Sequence, residues 1–476
     1  MATTSQNADY VKLLPRYNTI RDCLNDDVVL NSSKYLVRTA GMADSSFKCL
    51  QQLGVFVNIT GSTLTDLMGL ANRKKPEVTL PTDVEYLNVN ADGEGNSLES
   101  LIKGALSDAS SHGRYGLLVE PPTARLDDEG MPIAPSKSDV QSGKVRTNIK
   151  PYSPESIVDT DTTVVNDVKM LSLVKLQECL SIRDKVTFQV EEKVQYRCLI
   201  LTEEGYEQRV FDDLECTNQI GDTQPVMDYH GKQMQYIPFY FIGSINNDPK
   251  ADNPPFFKLS TINIALYNLD ANNRLNLNLY ATGTLIVTGD AEDLGSKTIT
   301  VGGGGGIYLG QTGTANILQL QAGTALPEAM KADKESMVEL GAKLSNPEVA
   351  RTLGEAEINA AQDMASLSTA TDNTEEAFIA AINDVILLQT GSEQEFELLL
   401  NRNFFPKKLT AQEITNLREL WLADGISKAV LDAALLSAEV IPNGTNLEEM
   451  NKDIEDESDM PNLDDTPTIA PVVEEQ

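Results

Sequence analysis

The stretch PPFFKLSTINIALYNLDANNRLNLNLYATGTLIVTG, residues 254–289, carries the strongest fold signal in this chain of 476 residues. Its proline pair cannot lie inside a helix, so a structural element begins just after Pro255. Apolar residues then recur at steps of three and four, the period of an amphipathic helix. They are Leu259, Ile262, Leu266 and Leu269. After Thr282-Gly283 comes a short β-rich run, Leu285–Val287. The pattern predicts a long helix that leads into a strand, as an ordinary α+β domain could also contain.

The edge of this predicted helix is unusually rich in amides. Asn263, Asp270, Asn273 and Asn276 border or extend the apolar stripe, where a surface helix would normally carry Lys and Glu. Amides on a helix edge favour a packed neighbour over open water. We therefore expect this edge to lie against another part of a structure.

The remaining chain predicts further helices and antiparallel strands. Residues from Asp9 to about Leu80 have mainly helical spacing, as do Leu98–Ala109. Short β-rich runs separated by turn residues extend from Asn148 to Ile242, and Thr187–Val190 is one of them. Further strands are predicted at 113–120, 298–301, 307–309, 317–320 and 395–400, and helices at 325–345, 355–388 and, as a hairpin around Gly425, 410–438. The fold class is α+β.

Composition restricts the classes of function. The formal net charge of −33 argues against a protein that binds nucleic acid tightly through its phosphates. It is compatible with a protein along which DNA must move without binding. Five scattered cysteines without a C-x-x-C pair indicate reduced thiols rather than disulfides or a zinc site. No run approaches the roughly twenty apolar residues needed to span a bilayer, and the N-terminus lacks the apolar core of a signal peptide.

Residues that could carry catalysis are sparse. With two histidines, His112 and His230, a multi-histidine metal site or histidine general base is nearly excluded, and His112 is expected at the surface or in a simple hydrogen bond. The run Gly302–Gly306 invites a phosphate-loop interpretation, but a strand-like segment follows it instead of Lys-Ser/Thr and a helix. The acidic pairs Asp127-Asp128 and Asp212-Asp213 are expected in solvated loops. We predict a non-enzyme without a cofactor.

The order of motifs resembles the portal proteins of tailed bacteriophages. The run in 254–289 is similar to the family's proline-led amphipathic helix followed by a strand that ends in Thr-Gly. Other similar motifs follow in the family's order. They are Thr63-Leu64-x-x-Leu67-x-Gly69, Gly113-Arg114-Tyr115-Gly116 with Val119-Glu120, Ile237-Pro238-Phe239, Asn246-Asn247, Glu339–Leu344 and Gly425-Ile426-Ser427. The sequence departs from the family in the low charge of the helix at 259–279 and in lacking a Trp at 157–160.

The resemblance implies a ring, commonly of twelve copies, at one capsid vertex of the virion, assembled in the host cytoplasm. Each subunit would have an α/β wing, a two-helix stem, a small β-containing clip, a long tunnel-side helix and a helical crown. The implied boundaries are 1–253 for the wing, 254–282 and 325–345 for the stem helices, 283–324 for the clip, 346–404 for the tunnel loop, long helix and returning wing strand, 405–445 for the crown and 446–476 for a disordered acidic tail.

The same resemblance implies partners and contact residues. Double-stranded DNA would pass through the channel, and the terminase large subunit, a major capsid or scaffolding protein and head–tail adaptor proteins would dock outside it; no membrane is involved. The implied DNA contacts are Arg351, Lys343, Lys334 and Lys331. The implied clip interface is Gly302, Gly303, Gly304, Gly305, Gly306 and Tyr308, and the implied intersubunit stem contacts are Asn263, Asn273 and Asn276. The alternatives are another head-completion or scaffold protein, or an acidic cytosolic enzyme that binds a phosphate ligand at the glycine run.

Overall fold

The computed structural model places a defined part of the chain. It describes residues 6–121, 125–126, 132–133, 146–282, 284–288, 314–318, 324–340, 353–402, 404, 409, 411–423, 425–438, 440–441, 450 and 452. The chain divides into two compact units, Met1–Arg402 and Asn403–Gln476. Helices and strands alternate irregularly along it, which confirms the α+β class.

The first unit holds nine of the helices that the structure describes. They are α1 (Ala8–Leu24), α2 (Asp27–Leu30), α3 (Ser32–Tyr35), α4 (Asp44–Leu53), α5 (Ile59–Ala71), α6 (Leu98–His112), α7 (Phe257–Thr282), α8 (Ala325–Leu340) and α9 (Leu353–Thr390). The helices predicted from the 254–289 stretch and from residues 355–388 are therefore confirmed as α7 and α9. The end of α8 predicted at residue 345 lies outside the described residues.

The strands of this unit form small antiparallel sheets. They are β1 (Glu77–Thr79), β2 (Arg114–Glu120), β3 (Arg125–Leu126), β4 (Pro132–Ile133), β5 (Asn148–Tyr152), β6 (Ile157–Val165), β7 (Val168–Arg183), β8 (Val190–Leu201), β9 (Tyr206–Phe211), β10 (Gln224–Pro225), β11 (Phe239–Gly243), β12 (Thr284–Thr288), β13 (Thr314–Leu318) and β14 (Glu397–Leu399). The predicted strands at 298–301 and 307–309 lie outside the described residues. The strand predicted at 395–400 is confirmed as β14, which pairs with β1.

The main hydrophobic core surrounds a three-stranded sheet in the order β11-β2-β5. Helices α6 and α9 both contact this sheet, and every residue of β2 before Glu120 is buried, so both faces of the strand are covered. Gly116 permits this packing, because a Cβ added there would lie 2.4 Å from a ring carbon of Phe239. Gly113, at φ 73°, caps the C-terminus of α6 in the left-handed conformation and starts the strand.

A five-stranded meander in the order β10-β9-β8-β7-β6 adjoins the core. The sequence predicted separate short strands here, whereas β7 and β8 form one long hairpin whose register runs from Leu173↔Ile200 to Arg183↔Val190. The predicted strand at Thr187–Val190 is wrong. Residues 187–189 belong to the turn of that hairpin, where the Asp184 carboxylate accepts the N–H groups of Val186 and Thr187, and only Val190 is in a strand, as the first residue of β8. A local Asx turn therefore overrides the β propensity of the run.

The short N-terminal helices pack on one side of α7. Cys23, Val28, Tyr35, Leu36 and Leu50 form a small apolar cluster with Tyr267 and Ala271 of α7. This confirms the helical character predicted from Asp9 to Leu80 and gives α7 a defined buried face.

The second unit contains α10 (Ala411–Leu422) and α11 (Lys428–Ser437). Ser427 accepts the N–H of Val430 and caps the start of α11, and the Gly425 N–H donates to the Leu420 carbonyl. The helical hairpin predicted around Gly425 is thus confirmed. Among the described residues of the whole chain, no helix combines the length and hydropathy needed to cross a membrane.

Candidate assembly surface

Two helices joined by a β-ribbon define the segment that the sequence singles out. The chain runs through α7 into β12 and returns through β13 into α8, and α7 contacts α8. The two strands pair antiparallel from Thr284↔Leu318 to Thr288↔Thr314. The Thr288 and Thr314 hydroxyl oxygens are 2.6 Å apart, which closes one end of the ribbon with a side-chain hydrogen bond. We call α7, β12, β13 and α8 the helical hairpin segment.

One edge of α7 serves its own subunit. Asn263 is 1% exposed. Its Oδ1 accepts hydrogen bonds from the backbone N–H groups of Ile59 at 3.1 Å and Thr60 at 3.0 Å, and from the Thr60 hydroxyl at 3.0 Å. Its Nδ2 donates to the Val57 carbonyl at 2.8 Å. N–H groups in a first helical turn have no partner within the helix, so Asn263 caps α5 from α7. The predicted contact of Asn263 with a neighbouring copy is corrected to this intrachain one.

Two further polar residues continue this edge. Asn268 accepts the Val37 N–H at 2.9 Å through Oδ1 and donates to the Tyr35 carbonyl at 2.9 Å through Nδ2. Asp270 accepts the Val55 N–H at 3.0 Å. Backbone groups in irregular segments need partners once they leave water, and α7 supplies them for the connections between the N-terminal helices. The expectation that this edge has a packed neighbour is therefore confirmed for Asn263 and Asp270, with the neighbour inside the same chain.

The other predicted stem residues lie on a different part of α7. Asn273 and Asn276 are half-buried, and the neighbouring Leu277 is 51% exposed. Most described side chains of α8 are exposed, including Leu340, although Met337 is fully buried. An apolar residue exposed singly is ordinary on a protein surface. Asn273 and Asn276 are therefore partly accessible, and their contact with a neighbouring copy stays a prediction.

The predicted DNA contacts are partly described. Lys331 has a 78% exposed side chain and lies 3.8 Å from the Glu335 carboxylate, one helical turn later. Lys334 is also exposed. An exposed pair of this kind contributes little to stability, so neither lysine is committed to the fold. Arg351 and Lys343 lie outside the described residues, as do Tyr308 and the run Gly302–Gly306.

A buried ion cluster near α1 was not predicted. The Arg21 guanidinium bonds to the carboxylates of Asp108 and Glu155, with shortest distances of 2.9 Å to each. His112 is fully buried beside them, and its Nδ1 lies 2.8 Å from the Ser111 hydroxyl. Of the two alternatives expected for His112, the surface position is wrong and the simple hydrogen bond is confirmed.

The charge states in this cluster follow from burial and pairing. Burial lowers the pKa of His112 from 6.5 to about 4, so the imidazole is neutral near pH 7. Burial alone would raise the pKa of Glu155, but its hydrogen bonds and attraction to Arg21 outweigh that effect and lower it. The cluster ties α1 to α6 and to the turn at Pro154–Ser156.

Among the described residues, no group of three or more His, Cys, Asp and Glu side chains could hold a metal ion. Asp213 accepts the N–H groups of Thr217 and Asn218, so one acidic pair belongs to a structured loop. The pair Asp127-Asp128 lies outside the described residues.

Comparison with known proteins selects the same segment. A protein-family profile described as "Domain of unknown function (DUF4055)" matches residues 255–386. The match starts just before α7, runs through the helical hairpin segment and ends inside α9. Curated proteins give no match to the chain. The matched span is well under half of the sequence, and its description carries no activity.

Proposed function

We propose that this protein is a portal protein of a tailed bacteriophage, a ring at one capsid vertex through which double-stranded DNA is packaged and ejected. The observation that carries the proposal is the order of elements after residue 253. A 26-residue helix, a two-stranded ribbon, a returning helix and then a 38-residue helix succeed one another. The portal resemblance implies this succession as stem, clip, stem and tunnel-side helix.

The long helix α9 supports the proposal through its packing. Its C-terminal half is buried in the core, where Ala370, Ala377 and Ala381 are each no more than 3% exposed. These small side chains let the helix lie close to the sheet and to α6. A helix anchored in this way can carry the segment before it as a rigid extension, which a wall around a DNA channel requires.

The charge balance gives the proposed channel a mechanism. Twelve chains of charge −33 would carry about −396 in total, so the wall would repel DNA phosphates and let the duplex slide. Isolated basic residues would then make transient contacts. The exposure of Lys331 and Lys334 is compatible with that role, and Arg351 and Lys343 are the other proposed contacts. The terminase large subunit would supply the ATP hydrolysis and would dock at the clip before the adaptor proteins do.

Particle mass and shape test the proposal directly. Twelve chains of 51.9 kDa form a particle of about 620 kDa, which mass photometry resolves, and negative-stain images should show a central hole. Monomers or dimers at every concentration, both alone and with the cognate scaffolding protein, would contradict the ring.

Matched charge variants then separate the channel from the ring. We expect Lys331→Glu with Lys334→Glu to leave the particle mass unchanged and to slow DNA packaging by the cognate terminase. Lys185→Glu with Lys193→Glu on the β7–β8 hairpin is the control, because both side chains are exposed and both residues lie outside the helical hairpin segment. Equal packaging rates for both variants would show that Lys331 and Lys334 do not contact DNA in the channel.

A further inference from the structure

The fold brings two cysteines together that the sequence keeps apart. Cys198 lies on β8, and Cys216 lies in the connection after β9, 18 residues later. Their Sγ atoms are 3.5 Å apart. The sequence contains no C-x-x-C pair, and the proximity of Cys198 and Cys216 comes instead from a strand and a folded loop.

The sheet register fixes the position of Cys198. It lies opposite Lys175 on β7 and Arg209 on β9, so the three side chains project from the same face of the meander. Both Cys198 and Lys175 are buried. The Lys175 ammonium donates to the carbonyl of Leu214 in the connection that follows β9, which draws this connection over the face of the sheet.

The connection itself is held in a compact turn. The Asp213 carboxylate accepts the N–H of Thr217 at 3.0 Å and that of Asn218 at 2.8 Å, and the Asp212 N–H donates to the Asn218 carbonyl. Cys216 has φ of 55°, a left-handed conformation that non-glycine residues adopt at a cost. These contacts hold the Cys216 thiol against Cys198, so little movement separates the two sulfurs from bonding distance.

We propose that Cys198 and Cys216 are a redox-sensitive pair, which a small-molecule disulfide such as oxidised glutathione converts into an intramolecular disulfide. The site lies outside the family-matched residues 255–386, so it is independent of the proposed function.

The reaction proceeds by two thiol–disulfide exchanges. Cys216 loses its proton to solvent, and its thiolate attacks one sulfur of the small disulfide, which breaks the S–S bond and releases one small-molecule thiolate. Cys198 then loses its proton and attacks the sulfur of Cys216, which releases the second small-molecule thiolate. The two protein thiols are oxidised, and one molecule of the small disulfide is reduced to two thiols.

Exposure sets the order of the two attacks. Cys216 is partly exposed, whereas Cys198 is 4% exposed. Burial raises the pKa of Cys198, as does the neighbouring Cys216, and the positive charges of Lys175 and Arg209 only partly oppose this rise. Cys216 therefore reacts first with a molecule from solution, and Cys198 reacts within the protein. The product ties the connection after β9 covalently to β8.

Mapping of the cross-link tests the proposal. Full-length protein is incubated with oxidised glutathione, digested without reduction and analysed by mass spectrometry. We expect a peptide joined through Cys198 and Cys216, the loss of two of the five free thiols, and full reversal by reduced glutathione. Amides of residues 212–218 should exchange with deuterium more slowly in the oxidised protein, because the disulfide limits local opening.

Single substitutions separate the two attacks. In Cys198→Ser we expect glutathione to stay on Cys216, and in Cys216→Ser we expect Cys198 to stay unmodified. Cys179→Ser is the control, since Cys179 is exposed on β7 and its loss should leave the cross-link unchanged. The proposal is overturned if wild-type Cys179 takes up glutathione while Cys198 and Cys216 stay unlinked, a result that does not depend on any variant folding. Modification of Cys198 in Cys216→Ser as fast as Cys179 would overturn the order of attack.

Discussion

Replacing Asn263 with Ala tests whether α7 anchors the N-terminal helices of its own subunit. The substitution removes one acceptor that serves Ile59 and Thr60 and one donor that serves Val57. It leaves the first turn of α5 attached through Asn58, whose side chain accepts the Gly61 N–H at 2.6 Å. The α5 helix should therefore still form, while its first turn loses its hydrogen bonds to α7.

The size of the effect follows from the groups left without partners. The Thr60 N–H loses its partner beside α7, and the Thr60 hydroxyl can rotate to another acceptor. The Ile59 N–H and the Val57 carbonyl each lose one bond but keep the bond to each other at 2.9 Å. A buried polar group without a partner costs about 1–3 kcal/mol. Because one backbone N–H is left without a partner and two further groups lose one of their two bonds, we expect a destabilisation of about 2 kcal/mol. That is a large fraction of the roughly 5–15 kcal/mol by which proteins are stable.

Local and global measurements should agree. Hydrogen exchange should show faster exchange at the amides of Ile59 and Thr60, and urea unfolding followed by far-UV circular dichroism should report the lost stability. Asn272→Ala is the matched control on the same helix, because its Nδ2 bonds only one turn back, to the Asn268 carbonyl at 2.8 Å. We expect that control to change stability by less than about 0.5 kcal/mol.

Two results would refute this reasoning. Unchanged exchange at Ile59 and Thr60 in Asn263→Ala would show that the amide does not cap α5. If Asn263→Ala lowered the particle mass without changing the stability of the separate subunit, Asn263 would have to contact a neighbouring subunit.

Three further predictions concern the core. Between pH 6.5 and about 4 the His112 side chain is protonated in the unfolded chain and neutral in the native protein, because burial lowers its native pKa. The free energy of unfolding therefore falls by about 3 kcal/mol as the pH drops through that window. His112→Gln should remove this part of the pH dependence, which urea titrations at several pH values would measure. Gly116→Ala should cost about 2 kcal/mol through its clash with the Phe239 ring, and Phe239→Leu in the same chain should recover part of that loss if the clash is the cause. Tyr240→Phe should cost about 2 kcal/mol, because buried Asp384 loses a donor at 2.5 Å; a thermal midpoint equal to wild type would contradict it.

Elements with a local signal were predictable from the sequence. The proline pair and the apolar spacing that follows it give the start and the length of α7, and Gly425 marks the break between α10 and α11. The alternating runs after Asn148 indicate an antiparallel sheet. In each case the residues that carry the signal lie within one element, so periodicity alone is sufficient.

Features that depend on distant residues were not predictable. Asn263 and Thr60 are separated by 203 positions, and Arg21 and Glu155 by 134. No periodicity links such positions, and one sequence contains no information on which polar residues meet. The strand prediction at Thr187–Val190 failed for a different reason, since residues 187–189 lie in a turn. The β-branched and aromatic residues of this stretch have strand propensity, but the Asp184 carboxylate accepts hydrogen bonds from the backbone N–H groups of Val186 and Thr187 and stabilises a turn there.

The amides of α7 illustrate why a polar helix edge is ambiguous in a sequence. An amide that caps a helix of its own chain and one that bonds to a neighbouring copy satisfy the same need, which is to pair backbone or polar groups away from water. The sequence therefore groups Asn263, Asn273 and Asn276 together. Burial separates them, since Asn263 is enclosed within its own chain and the other two retain exposed surface. If the proposed ring forms, substitution of Asn273 or Asn276 should alter the particle mass without lowering the stability of the single chain, and Asn263→Ala should lower that stability without altering the particle mass.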